Sequence, residues 1–167
     1  MLYLKEANLE DAEKEYAFIA ELPANENGFT NNYYGVEKTE FLNTVLPRMI
    51  NQSKGMDLPD GFVPETDYFL WEHDSIAGLF RVRHYLNDFL RNDAGHIGYG
   101  IKAEYRGRGL ATKGLALTIE KAREIIREDE IYMSVHRDNP ASLEVQKKNG
   151  AYIHHSDDMK HYTRIKL

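Results

Sequence analysis

The amino-acid sequence predicts one mixed α/β (α+β) domain, a mostly antiparallel sheet of about six to seven strands flanked by four helices. Three observations carry that expectation. The middle of the chain, Tyr68–Glu72, Ile76–Leu86 and HIGYGIK (96–102), reads as short strands separated by turns. The stretches 9–22, 38–53 and 110–127 repeat apolar residues at helical spacing. The 167 residues hold no internal repeat and no Ser/Gly linker, and they suffice for one core but not two full-sized ones. Residues 1–167 are therefore read as a single domain.

Taken in order, Leu2–Glu6 is a first strand. A helix from Leu9 to Leu22 follows through Leu9, Ala12, Tyr16, Ile19 and Ala20. PANENGFTNNYYG is rich in Asn and Gly and reads as a loop. A second helix, Lys38 to about Ser53, runs through Phe41, Leu42, Val45, Leu46, Met49 and Ile50, with Pro47 expected to bend it or end its first half. GMDLPDGFVPETD is a second long loop. The next two strands join at His73-Asp74-Ser75, and FRVRHYL puts Arg81 and Arg83 on one face and Phe80, Val82 and His84 on the other. NDFLRNDAG reads as a turn. The helix at 110–127 repeats Ala111, Leu115, Thr118, Ala122 and Ile125, and IYMSV is a short strand. The last helix has Asn139 as N-cap, Pro140 in its first position, Lys147 and Lys148 in its last turn, and Gly150 just beyond. AYIHH and HYTRIKL close the chain as a hairpin around Ser156-Asp157-Asp158.

Charge and composition exclude several function classes. With 21 Lys plus Arg against 27 Asp plus Glu, net −6, the chain lacks the basic excess that nucleic-acid or anionic-membrane binding needs, and a charged partner is expected to be cationic. The absence of cysteine removes disulfides, a thiolate nucleophile and Cys-ligated zinc. MLYLKEANLEDAEKEY is acidic where a signal peptide is apolar, and no stretch approaches the ~20 apolar residues of a membrane span, so a cytoplasmic protein is expected. His154, His155, Asp157, Asp158 and His161 crowd one hairpin. Adjacent strand histidines face opposite sides, so no metal is expected there.

The chemistry concentrates in HIGYGIKAEYRGRGLAT, residues 96–112. A strand runs into a loop holding Arg106, Gly107, Arg108 and Gly109, and a helix begins at once with Leu110, Ala111 and Thr112. Amides at a helix N-terminus are unpaired and favour anions, glycines admit a ligand close to the backbone, and arginines add charge. This suits a phosphate or pyrophosphate, and it is equally compatible with a tight strand-to-helix turn carrying solvated arginines. No GxxxxGK[ST] spacing is present, and the third position of GxGxxG is Thr112, so neither phosphate fingerprint applies. On the strand ahead, His96, Gly98 and Gly100 share a face, an open floor for a thin ligand or for another element packing closely.

RGRGLA (Arg106–Ala111) resembles the Arg/Gln-x-x-Gly-x-Gly/Ala signature of the Gcn5-related N-acetyltransferases (GNAT), and NPASLEVQKKNGAY is similar to that family's second block, Asn-x-x-Ser/Ala followed by Lys-x-Gly-Phe. The resemblance spans roughly Tyr68 to Tyr152, and IGYGIKAEYRGRGLAT looks closest to the branch of ribosomal-protein N-terminal acetyltransferases. It implies a GNAT-like fold and acetyl-CoA as co-substrate without a metal. The amides from Arg106 to Thr112 would hold the pyrophosphate, the backbone around Ile101 would pair with the pantetheine arm, and Asn139 and Ser142 would lie along that arm. Acetyl would pass directly to a primary amine of a small molecule or peptide in a ternary complex. His96 stands where relatives carry a Glu, either as the base or as a histidine bonded to a neighbouring loop. Gln146 stands where many relatives carry a tyrosine acid, leaving the thiolate's proton source unassigned. A CoA-binding sensor without efficient turnover is the alternative, and a nucleotide-phosphate module is a third. Tyr33, Tyr34 and the acidic loop Asp57–Asp67 are read either as shaping a cleft for a cationic amine or as surface residues packing over an edge, and strand pairing into a homodimer is compatible with the fold.

Overall fold

The computed structural model of the chain describes residues 1–26 and 28–167. The chain begins with β1 (Leu2–Glu6), α1 (Ala12–Glu21) and a small hairpin of β2 (Asn25–Glu26) and β3 (Phe29–Thr30). Then come α2 (Lys38–Glu40), a π-helical turn (Phe41–Val45) and α3 (Leu46–Ser53) without a break. The strands β4 (Glu65–Glu72) and β5 (Ser75–Arg83), the short α4 (Asp88–Asn92) and β6 (Ile97–Ile101) form the middle. A 3-10 turn (Ala103–Tyr105), α5 (Leu110–Ile125), β7 (Glu130–His136), α6 (Pro140–Lys148), β8 (Tyr152–Ser156) and β9 (Lys160–Lys166) complete it.

The expected mixed α/β class holds, and the strands divide in a way the sequence did not announce. Among the described residues the seven long strands form two sheets, ordered β1-β4-β5-β6 and β7-β9-β8, every pairing within them antiparallel. The sheets touch at one end, where the His96 N–H donates to the Tyr132 carbonyl (2.7 Å). Beyond that point β6 and β7 are not paired, and each is an edge.

Helices cover both faces of the four-stranded sheet. Phe18 and Ile19 of α1, with Phe41, Leu46 and Met49, pack on Phe69, Trp71 and Leu79. On the other face Leu110, Leu115, Ile119 and Ala122 of α5 meet Leu70, Phe80, Val82, Ile97 and Ile101. Pro47 neither ends nor sharply divides its helix. Proline has no N–H to give back along the helix, and the wide π-turn just before it accommodates the missing donor. NDFLRNDAG contains a helix rather than only a turn, because the Asn87 side chain accepts from the Leu90 N–H and caps α4. The hairpin β8–β9 has a register shift between Ile153 and His155. That irregularity breaks the alternation and brings the Nδ1 atoms of His154 and His155 within 2.8 Å, so the argument that they face opposite sides fails there. Among the described residues no helix is long and apolar enough to cross a membrane.

Gly114 sets how closely α5 lies on the sheet. A Cβ there would stand 2.4 Å and 2.7 Å from the Phe80 ring and 3.0 Å from Leu70. Phe80 in turn stacks on Tyr99 with ring centroids 5.3 Å apart. Helix propensity alone favours Gly114→Ala by ~1 kcal/mol. The clash is expected to dominate, so thermal unfolding of Gly114→Ala should show a lower Tm, with a net loss of about 1–2 kcal/mol. An unchanged or raised Tm would mean that α5 shifts freely on β5.

Candidate functional site

Two cavities open along the gap between β6 and β7. The smaller, about 310 Å3, is lined by Ile101, Arg106, Gly107, Gly109, Leu110, Ala111, Thr112, Asn139 and Ser142, with Tyr99, Gly100, Tyr105, Ala141 and Val145. Residues from the two separate sequence blocks therefore share one groove. Gly107 and Gly109 both adopt left-handed φ, 73° and 75°, and an added Cβ at either would meet nothing within 4 Å. Glycine is needed at these positions for backbone conformation rather than for internal packing. Gly109 is the N-cap of α5, with no side-chain cap bond, so first-turn amides of a 16-residue helix face the groove without a side-chain acceptor from the cap. β6 presents an unpaired edge along the same groove, where the Ile101 carbonyl accepts from Arg106 Nε at 3.1 Å. Arg108 differs from its neighbours. Its side chain leaves the loop to reach Glu72 (2.7 Å) and lies over the Tyr105 ring, so only its backbone belongs to the loop.

Asn139 caps α6, its side-chain oxygen accepting from the Ser142 N–H at 3.2 Å. The Ser142 hydroxyl is 2.7 Å from the Tyr99 hydroxyl. Burial raises the Tyr99 phenol above its ordinary value, against hydrogen bonds to Ser142 and Gln146 that pull it down. Gln146 is itself buried and accepts from Thr163 Oγ1 at 2.6 Å.

The larger cavity, about 710 Å3, lies on the other side of Tyr99 and Ser142, which line both. Its walls come from β3, the loop at 61–63, β4, β5, α4, β6 and β7, including Phe29, Phe62, Glu65, Arg81, Arg83, Phe89, Gly98 and His136. The expected open glycine floor is occupied. The Phe29 ring lies over it, 3.7 Å from a Cβ added at Gly98 and 3.2 Å from one at Gly100, with the Arg81 guanidinium 5.4 Å from the ring centroid. Both expected loops do contribute to this cavity, but Tyr33 and Tyr34 do not line it, and Asp67 lies buried beneath it against Arg81 (3.1 Å).

His96 is placed differently from its expected role as a base. It is fully buried and lines neither cavity. Its Nδ1 accepts from the Tyr132 N–H (2.8 Å), so the proton sits on Nε2, which donates to Glu128 at 2.9 Å. Burial lowers the His96 pKa, outweighing Glu128. Burial works to raise the Glu128 carboxyl, but the His96 and Leu86 hydrogen bonds hold it low. This is a neutral imidazole with both nitrogens engaged, the second of the two roles that the sequence left open. A histidine held below ~6.5 contributes stability that is present above that pH and lost as pH falls. His96→Gln is therefore expected to lower Tm at neutral pH and to shrink the loss of Tm below pH ~6.5. The part due to His84, also lowered by burial, should remain. The pH–rate profile of catalysis should keep its shape, and a displaced limb in that profile would restore His96 as a proton acceptor.

Sequence reasoning also missed the cavity's ionic wall. Glu65 registers with Arg83 and Asp67 with Arg81 across β4–β5. The signal was the alternation of charged residues in ETD and RVR, interpretable only once the register of that hairpin is known. Tyr99 was visible as a strand residue, but its junction with Ser142 depends on α6 returning to β6.

The family model described as an acetyltransferase (GNAT) domain matches residues 2–152. No curated protein matches the chain. Among solved structures, a GNAT-family acetyltransferase from Streptococcus pneumoniae is 18% identical, with all of both chains covered and a TM-score of 0.64. RimL, a ribosomal alpha-N-protein acetyltransferase in complex with coenzyme A, is 17% identical over 98% of this chain and 90% of its own, with a TM-score of 0.67. A spermidine N-acetyltransferase SpeG chimera from Vibrio cholerae and hSSAT is 15% identical over 99% and 95%, with a TM-score of 0.63.

Proposed function

This chain belongs to the GNAT acetyltransferases, and on that footing we propose that it transfers acetyl from acetyl-CoA to a primary amine by direct attack in a ternary complex, residues 1–167 acting as one acetyltransferase domain. The observation that carries the mechanism is the meeting of two cavities at Tyr99 and Ser142. The thioester reaches that point from the smaller groove and the amine from the larger cavity, so neither reactant has to displace the other.

In this reading the amides from Arg106 to Thr112 receive the pyrophosphate, the edge of β6 at Ile101 guides the pantetheine arm, and Asn139 and Ser142 flank it. Acetyl-CoA supplies an activated acyl group on a thiol leaving group. The amine must first lose a proton. Water or the proton acceptors lining the larger cavity, Glu65, Asp93 and His136, take it. Nitrogen then bonds to the acyl carbon, the C–S bond breaks, and the thiolate takes the proton of the Tyr99 phenol, which Ser142 holds in place at 2.7 Å. The phenol recovers its proton from solvent through the cavity. In this reading Gln146 does not imply lost turnover, since the Tyr99 phenol is hydrogen-bonded beside it. The acceptors named for proteins of similar fold, a ribosomal protein and spermidine, both carry primary amines.

Tyr99→Phe keeps the stack on Phe80 and removes the acid. Acetyl-CoA titration of this variant should still show binding, while kcat for thiol release with a saturating amine falls roughly 10²-fold. An unchanged kcat would remove Tyr99 from the proton path. Binding of acetyl-CoA by the unmodified protein, with no amine-dependent thiol release from any amine, would favour the sensor instead.

A further inference from the structure

We propose that the acceptor amine carries, several bonds away, an anionic group, a carboxylate or a phosphate, that Arg83 binds at the far end of the larger cavity. This rests on the N-acetyltransferase reading and adds the acceptor's class.

Arg81 and Arg83 project from the same face of β5 into that cavity, but their partners differ. Arg81 is almost wholly buried, and its Nε is held by Asp67 Oδ1 at 3.1 Å with Glu65 Oε1 at 3.5 Å. Arg83 has Glu65 Oε2 only at 3.8 Å from Nε, beyond hydrogen-bond reach, and one Nη1 bond to the Gly95 carbonyl at 3.2 Å. Those are its polar partners among the described residues, and a guanidinium offers five donors in a planar fork suited to carboxylate or phosphate. Glu65 is shared between both arginines, and the other carboxylate on this wall, Asp93, is paired with Lys160 at 2.6 Å. Arg83 therefore keeps guanidinium N–H groups with no protein acceptor at hydrogen-bond distance among the described residues. Burial and the neighbouring Arg81 lower the Arg83 pKa, against the opposite pull of Glu65, Asp67 and Asp93.

Spacing sets the acceptor's length. Phe80 pairs with Tyr99 in the β5–β6 register, and Arg83 lies three residues further along β5. At about 3.3 Å per residue the anion site is roughly 10 Å of strand away from the point of transfer. Phe80 and Arg83 leave β5 on opposite faces, so this spacing is a minimum, and an acceptor at least as long as a tripeptide between its amine and its carboxylate is expected. Phe62 and Phe89 line the same cavity and are exposed, giving such an acceptor apolar contacts. A polyamine would instead place a second cation beside the Arg83 guanidinium.

The test compares kcat/KM for four acceptors: an apolar tripeptide with a free carboxylate, the same tripeptide amidated, an amine of equal length ending in phosphate, and spermidine. Product binding is read alongside by titrating N-acetyl tripeptide acid and amide onto the CoA-bound protein. The expected result is a preference of about tenfold or more for an anionic acceptor over the amide, in rate or in product binding. The acid and phosphate arms identify which anion is used. In Arg83→Gln the ratio of acid to amide should fall close to one, with an unaltered acetyl-CoA titration showing that the variant is folded. Arg83→Lys, which keeps charge and loses the fork, should retain part of the ratio. Equal use of acid and amide, better use of spermidine, no product binding by either tripeptide, or a ratio that survives Arg83→Gln would each overturn the proposal. Failure of the unmodified protein to bind acetyl-CoA would instead sink the N-acetyltransferase reading beneath it.

Discussion

The contact between Gly95–His96 and Tyr132 is what the rest of the molecule depends on. The His96 N–H bonds the Tyr132 carbonyl, its Nδ1 accepts from the Tyr132 N–H, and Gly95 packs so close that a Cβ would lie 2.2 Å from the Tyr132 carbonyl oxygen. Glu128 then fixes the ring from its other side and reaches the Leu86 N–H with its second oxygen. Two sheets are thereby joined at one end and left unpaired at the other. A continuous ladder would have covered the edge of β6 and left no room for a cofactor. A gap without a fixed end would leave the two cavities without defined dimensions.

From that fixed end the two cavities acquire different physical characters. The smaller is made of backbone: glycines in left-handed conformations, a helix N-terminus and a strand edge, all suited to a ligand with phosphates and an extended amide-bearing arm. The larger is made of side chains, with Phe29 seated on the Gly98–Gly100 floor and paired charges along β4 and β5. Net charge is a poor guide to such a wall. The chain is −6 overall, yet two guanidinium groups line this cavity, and one of them, Arg83, has a single side-chain hydrogen bond among the described residues.

Much of this was legible in the sequence where a short-range rule governs. Asn139, Pro140 and Gly150 punctuate α6 as capping chemistry requires, and the strand–Arg/Gly loop–helix order of residues 97–125 stands as the sequence has it. Longer-range features were not legible. His96 became a structural pin because Glu128 and Tyr132, more than thirty residues away, take both its nitrogens. The glycine floor filled because the loop after α1 folds back as a hairpin and lays Phe29 on it. The π-turn before Pro47, the Asn87 cap of α4 and the bulge beside His155 are local, but each departs from the regular period that pattern reading assumes. Tyr99 acquires its partners only when α6 returns across the gap.

On the proposed function, the groove from Ile101 to Thr112 holds acetyl-CoA through a backbone conformation that glycine makes possible. Titration calorimetry of the unmodified protein and of Gly109→Val with acetyl-CoA, CoA and ATP tests it most directly. Binding is expected to be selective for the two CoA compounds and weakened at least about tenfold in Gly109→Val, because a β-branched residue at φ 75° distorts the loop that lines the groove. Absent CoA binding, or equal affinity of both proteins for acetyl-CoA, would contradict it and leave residues 106–112 as a structural turn.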